Sequence, residues 1–386
     1  MSKAKAPKGK FRTEIPFDFK DRLIVIKAKL NDSDKEFEFI VDSGAPVSVV
    51  FKEAREASKA ATVMTYGVSD SQGNTTQSEY LMLNIGIGNS VFKDILTVYS
   101  PEPSEILTCI ADGGLIGADL MQTANWEIDF AHKKIIISDF KSSLPDLKDY
   151  QRVSFSKRSP FPFISWLNVL PGMTVNLNVN GQRFKDVYVD LGSSGAITLP
   201  KNDVTEKLFE KDSREVLMGY SSFGLLGAEM DTTSYYYSSN MYVGNINLND
   251  HSIDISNHNQ SLIGTGIFSD YSMIIDFRKK DLYLQPIDSL KNKSVDRTEF
   301  GFYMLYDASS SKCYVASIYD GSSAAIAGLQ LNDTITAINQ QEIPVFTDLC
   351  AFREWSRELS KQDKLLVKTS RREELIQVEK GIIPKR

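Results

Sequence analysis

The chain has 386 residues, 42% of them hydrophobic and 24% charged, which is enough apolar material to fill compact cores and argues against a disordered protein. A net charge of −6 argues against a nucleic-acid binder, which needs a basic face. Cys109, Cys313 and Cys350 are too few and too scattered for a disulfide framework or a zinc site, and His132, His251 and His258 lack metal-ligand spacing and read as surface residues. No apolar run approaches the ~18 residues of a transmembrane helix. The basic start, Met1 to Lys10, has no apolar stretch behind it, so either the protein is cytosolic or a signal has been removed.

Taken in order, residues 1–13 read as a disordered basic tail. Leu23 to Leu30 is an apolar run, Asn31-Asp32-Ser33-Asp34 a turn, and Glu36 to Val41 the next strand. That strand runs directly into Asp42-Ser43-Gly44-Ala45. A carboxylate at the end of a buried strand is costly unless it is paired, and Gly44 allows close backbone approach. Tyr66 to Tyr80 is polar, with Asp70-Ser71-Gln72-Gly73-Asn74 at its centre, the chemistry of a hairpin tip. Strands at 81–88 and 91–99 follow, then Gly113-Gly114-Leu115-Ile116-Gly117, and a strand pair running from Trp126 to Ile137.

The next segment repeats the first. Leu115-Ile116-Gly117 returns as Leu262-Ile263-Gly264 and Ile128-Asp129-Phe130 as Ile275-Asp276-Phe277, both shifted by 147 residues. The same shift carries Asp42 to the neighbourhood of Val189-Asp190-Leu191-Gly192-Ser193-Ser194, again an apolar strand ending in Asp-x-Gly. Gly219-Tyr220-Ser221-Ser222-Phe223-Gly224 falls where a second hairpin is expected. Asp129 and Asp276 precede turns and read as structural, and Tyr235-Tyr236-Tyr237 reads as core and rim of the second half.

Residues 288–297 are polar and read as a linker. Beyond them, Tyr314 to Ile318 is a strand, Gly321 to Gly328 a short capped helix closed by glycine, Leu349 to Leu359 an amphipathic helix, and 364–369 with 374–379 a terminal strand pair.

Two mostly β halves, each with Asp-x-Gly and a downstream Leu-Ile-Gly, resemble the pepsin-like and retropepsin-like aspartic peptidases over roughly residues 14 to 290. The run Gly321-Ser322-Ser323-Ala324-Ala325 to Gly328-Leu329, followed by Asp333, Ile335, Ile338 and Asn339, resembles bacterial PDZ domains. Together they imply a mainly β protein: a two-lobed, retropepsin/pepsin-like acid protease β-barrel fold followed by an α+β PDZ domain. The expected boundaries are 14–147 for the first lobe, 148–290 for the second and 296–382 for the PDZ domain.

The peptidase resemblance implies an Asp42/Asp190 dyad that shares one proton and activates a water, with Ser43, Gly44, Gly192 and Ser193 supporting the two loops. Asp70, Ser71, Gln72 and Gly73 in the first hairpin, with Tyr220 and Ser221 in the second, would close over an extended peptide. Leu191 stands where the family carries Ser or Thr, so half of the brace between the loops is missing. The PDZ resemblance implies a carboxylate-binding loop at Phe300, Gly301 and Phe302 that takes a C-terminal peptide. The peptidase resemblance implies no metal or organic cofactor. The partners implied are a protein or peptide substrate and that peptide ligand; no nucleic acid is expected, and a monomer carries the whole site. The resemblance to cell-envelope proteins of Bacteroides-like bacteria implies export. Two rival readings stand beside the endopeptidase: a pseudopeptidase that binds without cleaving, and an adaptor working through its PDZ domain.

Overall fold

The computed structural model describes residues 4–70, 73–158, 172–238, 240–249, 251–287 and 297–385. The protein is mainly β, with 51% of its residues in strands and 12% in helices.

In the first half, the apolar run becomes strand Leu23–Leu30, paired antiparallel with Glu36–Val41 across a turn that puts Asn31 in the left-handed region at φ 49°. Glu36–Val41 runs parallel to Gly114–Ile116, which lies antiparallel to Ser48–Val50, itself parallel to Ser90–Tyr99. The hairpin Thr62–Ser69/Thr75–Ile87 joins Ser90–Tyr99 and closes back onto Leu23–Leu30, so the sheet forms a barrel. The second half repeats the order and sense of most of these pairings. Gly172–Val179 pairs antiparallel with Gln182–Val189, which runs parallel to Leu262–Ile263. Ile197–Pro200 lies antiparallel to Leu262–Ile263 and parallel to Ser252–Ser256, and the hairpin Glu215–Gly224/Gly227–Tyr237 joins Ser252–Ser256.

The halves meet in one six-stranded sheet, in the order Arg12–Pro16, Lys134–Ser138, Asn125–Asp129, Tyr271–Asp276, Asp281–Pro286, Gln151–Ser154. At its centre Trp126 pairs with Ile275 and Ile128 with Met273, pairs that exchange under the 147-residue shift, while Glu127 and Ile274 pair with each other. A local two-fold axis therefore passes through the Glu127–Ile274 pair. One hydrophobic cluster spans both halves, from Ile24, Phe39 and Trp126 to Val189, Leu191 and Ile275. Burying each such side chain contributes about 1.5–3 kcal/mol.

Several expectations change. The chain is ordered well before residue 14: Lys5 exchanges backbone hydrogen bonds with Lys93, and Arg12 and Thr13 belong to a strand paired with Ser138 and Ile137. The edge of the six-stranded sheet supplies partners that composition alone does not reveal. Of the histidines only His132 is exposed; His258 is buried and His251 is half-buried, 3.4 Å from Asp270. Cys109 and Cys350 form a disulfide with a Cα–Cα distance of 5.1 Å. Of the linker, residues 288–296 lie outside the described residues, and Arg297 is no solvated link: it pairs with the fully buried Glu215 and lies over the rings of Tyr235 and Tyr319.

The C-terminal part, from Thr298 onward, has its own core around Phe302, Val315, Phe352 and Val367. Its helix Ser323–Ala327 is capped by the Ser322 side chain and ended by Gly328 at φ 97°. It is anchored to both halves. Leu217–Gly219 of the second hairpin pairs antiparallel with Ser317–Tyr319, extending the sheet from one part into the other. Gly219, at φ 110°, lies so close to the Ala316 carbonyl that a Cβ there would overlap it. Toward the first half, the disulfide joins helix Glu105–Ile110 to helix Leu349–Ser360, whose Arg353 and Arg357 both pair with Asp21.

Candidate active site

Each Asp loop begins where a strand gives its last ladder bond: Asp42 N–H donates to the Ile116 carbonyl, and Asp190 N–H to that of Ile263. The chain then turns sharply, and its amides fold back onto the carboxyl. Gly44 and Ala45 N–H donate to Asp42 Oδ1 at 2.9 and 2.8 Å, and Gly192 N–H to Asp190 Oδ1 at 2.8 Å. The glycines hold the loops face to face. A Cβ on Gly44 would stand 2.5 Å from Asp190 Cγ, and one on Gly192 would overlap the Asp42 carboxyl. The carboxyls are hydrogen-bonded to each other. Burial, and then the neighbouring Asp190 charge, push Asp42 up to about 8; burial also raises Asp190. Like charges this close cannot both ionise, so the pair holds one proton between them.

Beneath the loops sit the two Leu-Ile-Gly segments. Gly117 N–H donates to Ser48 Oγ and Gly264 N–H to the Ala196 carbonyl, and a Cβ on either glycine would overlap the backbone above it. Ser193 supports its loop through the backbone: its carbonyl accepts from Thr265 N–H and Oγ1. Asp129 caps the turn to His132, and Asp276 accepts the amides of Arg278 and Lys279, so both hold turns.

The brace between the loops is one-sided. Ser43 Oγ donates to the Val189 carbonyl at 2.7 Å and accepts from Leu191 N–H at 3.0 Å, fully buried. Leu191 has no hydroxyl to return these bonds and packs into the shared core. The Ser43 hydroxyl therefore makes both of these bonds, and position 191 returns none. Ser43→Ala is expected to lower the unfolding free energy by about 2–4 kcal/mol, since it removes two buried hydrogen bonds and orphans the Leu191 amide. Urea unfolding measures this; a loss under about 0.5 kcal/mol, the scale of an ordinary surface change, would show that the loops are held by packing alone.

Asp70 and Gly73 stand at the tip of the first hairpin, with Asn74 N–H donating to Asp70 Oδ1. Ser71 and Gln72 lie outside the described residues. The second tip differs from expectation. Tyr220 and Ser221 lie within strand Glu215–Gly224, at an irregularity in its register, and the Tyr220 carbonyl accepts from Ser317 Oγ of the C-terminal part. The tip is Leu225-Leu226, bracketed by Gly224 and Gly227, and that Gly-Leu-Leu-Gly spacing was the readable signal. Leu226 N–H donates to Asp70 Oδ2 at 3.2 Å, and the Leu225 carbonyl accepts from Ser104 N–H, so the two hairpin tips meet. Of the tyrosines, Tyr236 stacks on Phe209 in the core, while Tyr237 donates to Glu215 beside Arg297.

In the C-terminal part, Phe300 and Phe302 are buried and Gly301 has φ 82°, at the entry to strand Phe302–Asp307. Among the described strands Phe302–Asp307 pairs only with Lys312–Tyr319, and its other side faces helix Leu349–Ser360. Among the described residues no group of three or more His, Cys, Asp or Glu could hold a metal.

Residues 290–357 match the family model described as PDZ domain, and this part of the chain is a PDZ domain. PDZ domains are modules that bind peptides, so this part of the chain fits a peptide-binding or adaptor module. No curated protein matches the chain.

Proposed function

We propose that the chain is a single-chain aspartic endopeptidase of the two-lobed pepsin and retropepsin type, with its PDZ domain recruiting or positioning substrate. The observation that carries this reading is the reciprocal seating of two half-buried, hydrogen-bonded carboxyls, each against the glycine of the opposite Asp loop. In the reaction, the ionised carboxyl takes a proton from a water that attacks the peptide carbonyl, while the protonated one donates to the carbonyl oxygen. The pair acts as one unit, so neither role belongs to one residue alone. An extended peptide lies beneath the two hairpin tips and binds through its main chain, with alternate side chains in pockets. Both carboxyls come from one chain, so a monomer suffices. The Cys109–Cys350 disulfide supports an exported protein, because such bonds persist in oxidising compartments.

The second reading is a PDZ adaptor or pseudopeptidase, favoured by the one-sided brace at Leu191. Cleavage of casein and a mixed peptide library, followed from acid to neutral pH with and without a pepstatin-type inhibitor, separates the two. Inhibitor-sensitive cleavage is the expected result; peptide binding without cleavage at any pH selects the adaptor.

A further inference from the structure

The two-fold axis relates two clusters flanking the dyad that are chemically unlike. In the first half Val49 pairs with Leu115 on one side and Val98 on the other, an apolar face that Leu225 of the second hairpin covers. In the second half the matching strand position, Thr198, pairs with Leu262 and with Asp254. A carboxylate thus stands where the first half has a buried valine. Strand Ser252–Ser256 sends Ile253 and Ile255 into the core and Asp254 to the opposite face, where it stays partly exposed. That face turns toward the Asp190 loop: a Cβ on Gly195 would lie 3.4 Å from Asp254 Oδ2, 3.7 Å from Ser193 Oγ and 3.8 Å from Thr198 Oγ1. Ser252 Oγ donates to Asp254 Oδ1 at 3.3 Å, but among the described residues no hydrogen bond reaches Oδ2. Arg297 and Arg22 act on this carboxyl only beyond ion-pair distance, and Arg297 is already engaged by Glu215.

We propose that Asp254 forms the floor of a substrate subsite that takes a lysine or arginine side chain. The glycine at 195 leaves the space above the carboxylate open, and the Ser193 and Thr198 hydroxyls supply acceptors for the remaining N–H groups of the cation. A charged donor would give Oδ2 the partner it lacks, a stronger bond than a neutral one. Burial first, and then the neighbouring Glu215 charge, push Asp254 up to about 7 against the pull of Arg297, Ser252 and Arg22, and an incoming cation would return it to the ionised form. The cleft is then bipartite, apolar beside Val98 and acidic beside Asp254. This inference rests on the peptidase reading for the placement of the peptide, and its test is separable from that reading.

The probes are acetylated, C-terminally amidated peptides carrying lysine or acetyl-lysine at successive positions around a central apolar pair. Amidation removes the terminal carboxylate that a PDZ domain captures. Binding is read by fluorescence anisotropy on the full chain carrying Asp42→Asn, and cleavage by mass spectrometry on the unmutated chain. At one position the lysine peptide is expected to bind about tenfold tighter than its acetylated twin, as for a partly desolvated charge pair. Adding Asp254→Asn should erase that difference. So should Gly195→Ala, which fills the space over the carboxylate at ordinary contact distance and leaves the acid in place. Equal binding of the twins at every position, a preference that survives both substitutions, or no binding at all overturns the subsite. A lysine preference in a chain that cleaves nothing keeps the subsite and removes the peptidase; cleavage without the preference does the reverse.

Discussion

If the chain is the peptidase proposed above, Asp42→Asn and Asp190→Asn are each expected to remove peptide cleavage, by about 10²–10⁴-fold or more, because the two carboxyls would then act as one acid–base unit. The same substitutions are expected to stabilise the fold at neutral pH. The folded pKa of Asp42 is raised, so its contribution to stability is complete below the ordinary carboxylate value of 3.8 and is lost as pH rises toward about 8. Asparagine does not titrate, so Asp42→Asn should gain on the order of 2 kcal/mol over the unmutated chain near pH 7, with the gap closing below about pH 4. Thermal unfolding across that range, run beside a peptide-cleavage assay, gives both readouts. Retention of most of the activity by either variant would eliminate the shared-proton mechanism. A stability gap that does not depend on pH would mean that the carboxyls are not held protonated by burial and by each other.

The second large effect is expected at the bond between the PDZ domain and the first half. Cys109 and Cys350 are 241 residues apart, so their disulfide closes a very long loop, for which chain entropy alone gives about 5–6 kcal/mol. Cys350→Ser should lower the unfolding temperature and split a single calorimetric transition in two, because among the described residues only Asp21 with Arg353 and Arg357 then ties the helix Leu349–Ser360 to that half by ion pairs. Ion pairs open to solvent on at least one side, as these are, contribute little by themselves. Cys313 should not replace the lost partner: it is buried, and burial pushes its thiol up to about 12. An unchanged, single transition in Cys350→Ser under oxidising conditions would show that the Ser317–Tyr319 pairing with the second hairpin holds the domain unaided.

The parts of this molecule that were legible in its sequence are those whose cause is local and recurs. Apolar strands ending in Asp42 and Asp190, and glycines at Gly117 and Gly264, announce the same backbone geometry twice at nearly one spacing, and the Trp126–Ile275 and Ile128–Met273 pairs follow that spacing without a slip. The PDZ helix was readable from Ser322 and Gly328 because caps are local chemistry. What escaped depends on contacts distant in sequence. Gly219 looks like a turn residue, but its left-handed backbone serves close approach to Ala316, and the turn lies beyond it at Leu225-Leu226. The disulfide leaves no signal in spacing. Asp254, in Ser-Ile-Asp-Ile-Ser, has the alternation of a solvent-facing acid, and only the pairing of its strand with Thr198 reveals what it faces.

The axis through Glu127 and Ile274 bears on direction. A peptide laid across a true two-fold site meets the same surroundings whichever end leads, so its amino-to-carboxyl sense is undetermined. Here one side of the axis has the Ser43 hydroxyl and the other the Leu191 side chain, and only the second hairpin is bonded into the PDZ sheet. The two senses of a bound peptide are therefore unequal in energy. A difference of only about 1.4 kcal/mol already favours one tenfold, so under the peptidase reading proposed above the cleft would read a chain as a sentence rather than as a palindrome.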